Sequence, residues 1–120
     1  MINKKTIFIT GGAGFVGSRL GDRLVTKDIV FKKYDIETKN DVNISSLDIE
    51  KIDSLNQLEG ADMIINLAAV HRDDIRPLSR YDDVNVQGSV NVCEAARKHG
   101  INKIIFASVF TEDVLFCSII

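Results

Sequence analysis

The chain has 120 residues, 45% hydrophobic and 27% charged, with a formal net charge of −2. This length is enough for one domain with its own core, and the near-neutral charge gives no reason to expect binding to nucleic acid or a membrane surface. Cys93 and Cys117 have neither zinc-ligand nor redox spacing, so we expect a reduced, cytoplasmic protein without a bound metal. The first apolar run ends at Thr10, too soon for a signal peptide or a membrane span.

Short apolar runs alternate with longer amphipathic ones along the chain. The run TIFIT, rich in β-branched and aromatic residues and stopped by Gly11-Gly12, predicts a buried strand. The run DMIINLAA is almost continuously apolar, as strands covered on both faces are. The predicted strands are 6–10, 29–36, 44–49, 62–69 and 102–108, and the predicted helical segments are 15–27, 50–58 and 79–99.

Two of the helical segments carry apolar residues at helical spacing. In the first, charged residues lie opposite the apolar ones. In the last, small and β-branched residues are available for the core, Cys93 lies among them, His99 is a cation at the helix end, and Gly100 is a stop signal. The apolar positions are Phe15, Val16, Leu20, Leu24 and Val25 in the first segment, and Val84, Val90, Val92, Ala95 and Ala96 in the last.

The order of these elements predicts the fold class. Strands that alternate with helices form parallel sheets, because parallel neighbours need crossover connections. We therefore expect a doubly wound, Rossmann-like α/β unit of about five strands over residues 1–108, with residues 109–120 as a separate tail.

The segment TGGAGFVG (10–17) lies between the first strand and the first helix. Gly11, Gly14 and Gly17 are spaced three apart, as in loops where a diphosphate approaches the backbone too closely for a Cβ atom. The helix behind the loop offers free N–H groups and the positive end of its dipole. Because a strand precedes this loop and a helix follows it, the pattern favours dinucleotide binding over a turn that uses glycine for shape alone.

An acidic residue supports the same interpretation. Asp35 follows Gly17 by eighteen residues and closes the second strand, where an acid accepts hydrogen bonds from the adenosine ribose. The alternative is that Asp35 only begins a turn. An acid here repels a 2′-phosphate, so NAD is favoured as the cofactor, while Lys32 and Lys33 keep NADP as the alternative.

In combination, TGGAGFVG, Asp35, NLAA and VNVQGSVNVCEAAR make residues 5–108 resemble the extended short-chain dehydrogenase/reductases, and among them the NAD-dependent nucleotide-sugar epimerases and dehydratases. The resemblance implies a diphosphate-binding loop, an acid on the adenosine ribose, a pair flanking the adenine, a segment along the nicotinamide-side ribose, and residues near the active site. These implied cofactor-binding residues are Gly11, Gly14, Phe15, Val16, Gly17, Asp35, Asp48, Ile49, Leu67, Ala68, Ala69, Asn85 and Ser108. For the segment Leu67 to Ala69, ordinary core packing is the alternative.

The segment AAVHRDDIRP (68–77) holds one histidine beside two adjacent carboxylates. That spacing matches no recognised metal site, so the segment is interpreted as a solvated loop. In the resembled family this loop borders the sugar-nucleotide pocket.

Catalysis in the resembled family depends on a Ser or Thr beyond the fifth strand and on a Tyr-x-x-x-Lys pair. Here Val109 stands where that Ser or Thr falls, and the two tyrosines, Tyr34 and Tyr81, are followed four residues later by Thr38 and Asn85. We therefore predict no catalytic residues in this chain, and a nucleotide-sugar substrate only for a full-length parent. The tail VFTEDVLFCSII is without resemblance to the family, which favours a frameshift or truncation.

Two other functions remain open at this stage. One is a non-catalytic module that binds a nucleotide or docks on a partner, whose tail forms an extra strand or an interacting edge. The other is an accessory protein without a ligand, in which the glycines are structural. A sheet that ends at its fifth strand has an open edge, and an apolar tail beside it predicts self-association.

Overall fold

A computed structural model of the chain describes residues 5–68, 86–107 and 114–118, with residue 107 and the last segment described as backbone only. Nine of the residues singled out above, Ala69, His71, Asp73, Asp74, Tyr81, Val84, Asn85, Ser108 and Val109, lie outside the described residues. The elements are β1 Thr6–Thr10, α1 Phe15–Thr26, β2 Val30–Asp35, β3 Ile44–Ser46, a 3₁₀ helix Ile52–Leu58, β4 Met63–Asn66, α2 Gly88–Lys98, β5 Lys103–Ala107 and β6 Val114–Ser118.

The strands form one sheet in the order β3-β2-β1-β4-β5-β6. The first five are parallel, which confirms the predicted doubly wound fold, and the strand order reverses between β1 and β4. The predicted strands 44–49 and 62–69 are shorter than expected, at three and four residues.

β6 is an addition to the predicted sheet. It pairs antiparallel with β5, from Lys103 opposite Ser118 to Ala107 opposite Val114. The edge of β5 that the sequence analysis left open is therefore paired with the chain's own tail. Self-association stays a prediction, and the outer edge of β6 is the edge to which it now applies.

Side chains alternate between the two faces of the sheet, as the two-residue period of a strand requires. Phe8, Ile64 and Ile104 pack with the 3₁₀ helix and α2 on one face. Ile9 and Ile65 face the other side, where they pack with Leu24 of α1. The larger core thus lies on the α2 face, and α1 alone among the described helices covers the opposite face.

α1 packs against the sheet through a narrow stripe of small residues. Its buried residues are Gly17, Gly21 and Leu24, which lie on one helix face because they are four and three residues apart. Of the five apolar positions predicted for this helix, Leu24 is buried and Leu20 is partly buried against the same cluster, as expected. Phe15, Val16 and Val25 are wrong as core residues, since they are 72%, 57% and 67% exposed. The closest approaches of the helix are made instead at Gly17 and Gly21, where a Cβ atom would clash.

α2 confirms most of its predicted core positions. Val92, Ala95 and Ala96 are buried, and Cys93 is partly buried against the same cluster. Val90 is wrong as a core residue, since its side chain is 47% exposed. His99 caps the carboxyl end of the helix, as expected.

The two valines of α2 provide a matched test of this packing. Val92→Ala removes buried methyl groups and should lower the free energy of unfolding by about 1–3 kcal/mol. Val90→Ala removes the same atoms from an exposed site and should change it by less than about 0.5 kcal/mol. Urea denaturation followed by circular dichroism measures both. Equal losses would contradict the described orientation of α2.

Candidate functional site

The carboxyl ends of β1 and β4 are tied together by a buried polar pair. The Thr10 hydroxyl donates to the Asn66 side-chain oxygen at 2.5 Å, and both residues are almost completely buried. The Leu67 amide donates to the Thr10 carbonyl at 2.8 Å, and the Ala68 amide donates to the same Asn66 oxygen at 3.3 Å. These bonds fix the point where the strand order reverses, which is where open α/β sheets bind ligands.

The glycine loop is packed directly on this point. Gly11 has a φ of +73°, and a Cβ there would lie 2.5 Å from the Ala68 amide nitrogen. A Cβ at Gly17 would lie 2.6 Å from the backbone of Gly12. These two glycines are therefore required by the packing of the chain itself.

Gly14 differs from the other two glycines of the motif. A Cβ there would meet only the Gly11 carbonyl, at 3.6 Å, which is ordinary contact. Gly14 is exposed and is the N-cap of α1, with no side-chain cap and no acidic residue in the first turn. The amides that follow it, at Phe15 and Val16, lie at the positive end of the helix dipole, so the open space beside Gly14 suits an anion.

Asp35 lies beside the glycine loop. Its carboxylate accepts a hydrogen bond from the Ala13 amide at 2.9 Å and one from the Glu37 amide at 3.3 Å. The Gly12 amide donates to the Tyr34 carbonyl at 2.9 Å and so extends the pairing of β1 with β2 into the loop. The loop and the acid that the sequence predicted as partners are thus adjacent.

Lys32 and Lys33, the two lysines that precede the acid in β2, point to opposite faces of the sheet. The Lys32 amine lies 5.3 Å from the centre of the Phe8 ring, on the α2 face. The Lys33 side chain runs from Gly12 towards Gly21, under α1. The amine of a third lysine, Lys39, donates to the Ala13 carbonyl of the loop at 3.2 Å.

Asp48 and Ile49, the two residues predicted to flank the adenine, lie in different environments. The Asp48 side chain is partly buried and accepts a hydrogen bond from the Glu50 amide at 2.9 Å. Ile49 is buried in the α2-face core against Gly88, and its carbonyl accepts from the Asn91 side chain at 2.8 Å. The Ile49 side chain therefore packs inside the protein, and its role beside an adenine stays a prediction.

The predicted nicotinamide-side residues begin at the end of β4. Leu67 is partly buried against the α1-face core, and Ala68 is partly buried against the α2-face core. Their backbone forms the surface against which Gly11 packs. Core packing, the alternative for this segment, is therefore part of what Leu67 and Ala68 do.

Three residues of the site were missed from the sequence: Thr10, Asn66 and Lys39. The Thr10–Asn66 pair had a signal, because both are polar residues that end strands on the two sides of the glycine loop. Lys39 had none, since its contact with Ala13 spans 26 residues and follows the turn at Lys39 and Asn40, both with positive φ.

A cleft of about 520 Å³ lies at the opposite edge of the sheet. It is formed by the amino ends of β1, β2, β4 and β5, and its apolar floor includes Ile7, Ile29 and Met63. Ligands of open α/β sheets bind outside the carboxyl ends of the strands, so this cleft is the less suitable site.

Tyr34, one of the chain's two tyrosines, lies within the described residues. Burial raises the pKa of the Tyr34 hydroxyl, which lies in the core and donates to the Gln57 carbonyl at 3.4 Å. The Tyr34 ring is therefore part of the core cluster on the α2 face. Among the residues described, no three His, Cys, Asp or Glu side chains are grouped so that they hold a metal ion. None of the described helices combines the length and apolar character needed to cross a bilayer.

Comparisons with known proteins identify the family to which the chain belongs. The model of the NAD dependent epimerase/dehydratase family matches residues 7–111. The chain belongs to this family.

Individual relatives give the same result. The N-acetyl-alpha-D-glucosaminyl-diphospho-ditrans,octacis-undecaprenol 4-epimerase of Escherichia coli O157:H7 is 40% identical over 85% of this chain and 31% of that protein. A putative UDP-glucose 4-epimerase of Methanocaldococcus jannaschii is 34% identical over 85% of this chain and 37% of that protein. The chain thus spans about a third of the length of the curated relatives it matches.

A solved structure matches the described fold. A mutant of uronate dehydrogenase from Agrobacterium tumefaciens, complexed with NAD, has a TM-score of 0.74 and 27% identity, over 88% of this chain and 41% of that chain. The family and the Rossmann-like fold expected from the sequence are therefore confirmed.

Alanine substitutions at Gly17 and Gly14 should show which of the two glycines the packing of the loop requires. Gly17→Ala should lower the free energy of unfolding by about 2 kcal/mol or more, because its Cβ meets the Gly12 backbone, which has little room to move. Gly14→Ala should cost less than about 1 kcal/mol, since its Cβ enters open space. Chemical denaturation of the two variants measures the difference. A larger loss for Gly14→Ala than for Gly17→Ala would contradict the described loop.

Proposed function

We propose that this chain is the NAD-binding part of a nucleotide-sugar epimerase or dehydratase, and that by itself it lacks catalytic activity. The observation that carries the proposal is the open space at Gly14, above the uncapped amino end of α1 and beside Asp35. A dinucleotide diphosphate fits there for reasons of both shape and charge. When bound, NAD supplies the hydride acceptor for oxidation of a sugar hydroxyl.

Each end of the cofactor has residues suited to it. Asp35 retains lone pairs beyond the two backbone amides it already accepts, and these are available to the adenosine ribose hydroxyls. Leu67 and Ala68, at the end of β4, lie on the side of the loop where the nicotinamide ribose would extend. Ala69, Asn85, Ser108 and the Asp48-Ile49 pair are proposed for the same site on the family resemblance alone.

The lack of catalysis is proposed from the sequence. Neither tyrosine of the chain is followed four residues later by a lysine, and Tyr34 lies in the core. The nucleotide-sugar substrate is proposed for a longer parent protein, on the strength of a relative named as a putative UDP-glucose 4-epimerase. A cytoplasmic location fits such a substrate and stays a prediction.

A second candidate is a non-catalytic module that binds a nucleotide or a partner through the same unit. The pairing of β6 with β5 favours it, because a tail that closes the sheet edge is what that alternative expects.

Isothermal titration calorimetry of the 120-residue chain with NAD tests the proposed site. We expect measurable binding that Gly14→Asp abolishes, because the added carboxylate occupies the anion space and repels the diphosphate. Val90→Asp places the same charge on an exposed position of α2 and serves as the control, with binding unchanged within about twofold. Absence of NAD binding to the folded wild-type chain, or equal loss in both variants, would overturn the proposal.

A further inference from the structure

The cleft at the amino edge of the sheet has the size and the lining of a small-molecule site. Its volume of about 520 Å³ lies in the range of ligand pockets, which are mostly apolar and carry a few polar groups that orient the ligand. Its floor includes Ile7, Ile29 and Met63, which are partly buried against the core on the α1 face. The proposed NAD site lies at the carboxyl edge of the sheet, so the cleft is separate from it.

One wall of the cleft is the turn that joins α1 to β2. Asp28 in this turn has a φ of 54°, and the Ile29 amide donates to the Leu24 carbonyl at 3.1 Å. The turn is thereby held against the end of the helix. Ile7 and Met63 pair across β1 and β4, which places them side by side on the floor next to this wall.

Three charged side chains line the cleft at the starts of three neighbouring strands. Lys5 directly precedes β1, Asp62 directly precedes β4, and Lys103 is the first residue of β5. The three strands are adjacent in that order, and adjacent strands lie about 4.8 Å apart. The charge along this edge therefore alternates in sign, positive, negative and positive, over about 10 Å.

Charges of both signs are available to a ligand. The Asp62 carboxylate accepts a hydrogen bond from the Thr6 amide at 2.7 Å, which holds it in place and leaves further lone pairs. No hydrogen bond or ion pair joins the amine of Lys5 or Lys103 to another described residue. Asp28 also lines the cleft, but it has a contact of its own within the chain.

We propose that this cleft binds a small zwitterion with an apolar body, of the class of α-amino acids with a large aromatic or aliphatic side chain. The ligand carboxylate accepts from the Lys5 and Lys103 amines, and the ligand ammonium group donates to the Asp62 carboxylate. The ligand side chain covers the apolar floor. A ligand with one charge leaves part of the rim unpaired and binds more weakly. The site is independent of the proposed dinucleotide function.

Amide NMR of the ¹⁵N-labelled, full 120-residue chain, titrated with L-phenylalanine, tests the site. We expect saturable shift changes at Ile7, Ile29 and Met63, with a dissociation constant of about 1–10 mM, because charges on an exposed rim are screened by water and salt. Hydrocinnamate has the same ring without the ammonium group, and phenethylamine has it without the carboxylate. Each should bind about fivefold more weakly or worse. Absence of saturable changes, or equal affinities for the three compounds, would overturn the proposal.

Substitutions on the rim test the role of each charge. Lys103→Met should weaken L-phenylalanine and hydrocinnamate by about fivefold or more and leave phenethylamine unaffected. Asp62→Asn keeps an oxygen for the Thr6 amide and removes the charge, so it should weaken L-phenylalanine and phenethylamine without weakening hydrocinnamate. Lys51→Met is the control, because Lys51 is an exposed lysine before the 3₁₀ helix and does not line the cleft.

The same spectra show whether each variant is folded, because amide shifts outside the cleft should match those of the wild-type chain. Equal losses for all three compounds in Lys103→Met, or an equal loss in Lys51→Met, would overturn the charge pairing. Saturating NAD should change the L-phenylalanine affinity by less than about twofold, since distant sites act independently. Competition between NAD and L-phenylalanine would overturn the separate site, whereas failure of NAD alone to bind would overturn only the dinucleotide function.

Discussion

The close approach of the glycine loop to the end of β4 is the constraint on which the rest of this structure depends. Gly11 can lie against the backbone of Leu67 and Ala68 only because it has no side chain, and the buried Thr10–Asn66 hydrogen bond holds the two strand ends at that separation. Loss of either partner would leave a buried polar group without a hydrogen bond, which costs free energy. The pair therefore fixes the geometry of this junction as well as stabilising it. The direction of the chain into α1 follows from it.

The packing of the glycine loop on β4 determines which groups are exposed at the amino end of α1. The helix packs on the sheet through Gly17 and Gly21, and so Phe15 and Val16 are exposed at its start. Glycine is a poor helix former, yet here it allows an approach that a longer side chain would prevent. The same arrangement leaves the first amides of the helix without a side-chain cap beside Asp35, so the packing that stabilises the unit also creates the proposed anion site.

Local patterns in the sequence were enough to predict the fold and the position of the loop. Strand runs such as TIFIT, the glycine spacing and Asp35 all carry their signal within a few residues. Two features did not follow from these patterns. Val90 is two residues from the buried Val92, so it lies on the opposite side of α2 and is exposed. Lys39 reaches the distant Ala13 through a turn of two residues with positive φ. The sequence left open that the tail forms an extra strand but did not show where it pairs, because the antiparallel pairing of β6 with β5 depends on which sheet edge is available.

The central claim is that a dinucleotide binds at the carboxyl edge of the sheet, at the amino end of α1. A titration of the ¹⁵N-labelled chain with NAD, followed by two-dimensional amide NMR, tests it most directly. The account predicts the largest shift changes at the amides of Gly14, Phe15 and Val16. Shift changes concentrated at Ile7, Ile29 and Met63, which line the cleft at the opposite edge, would contradict it, as would an unchanged spectrum at saturating NAD.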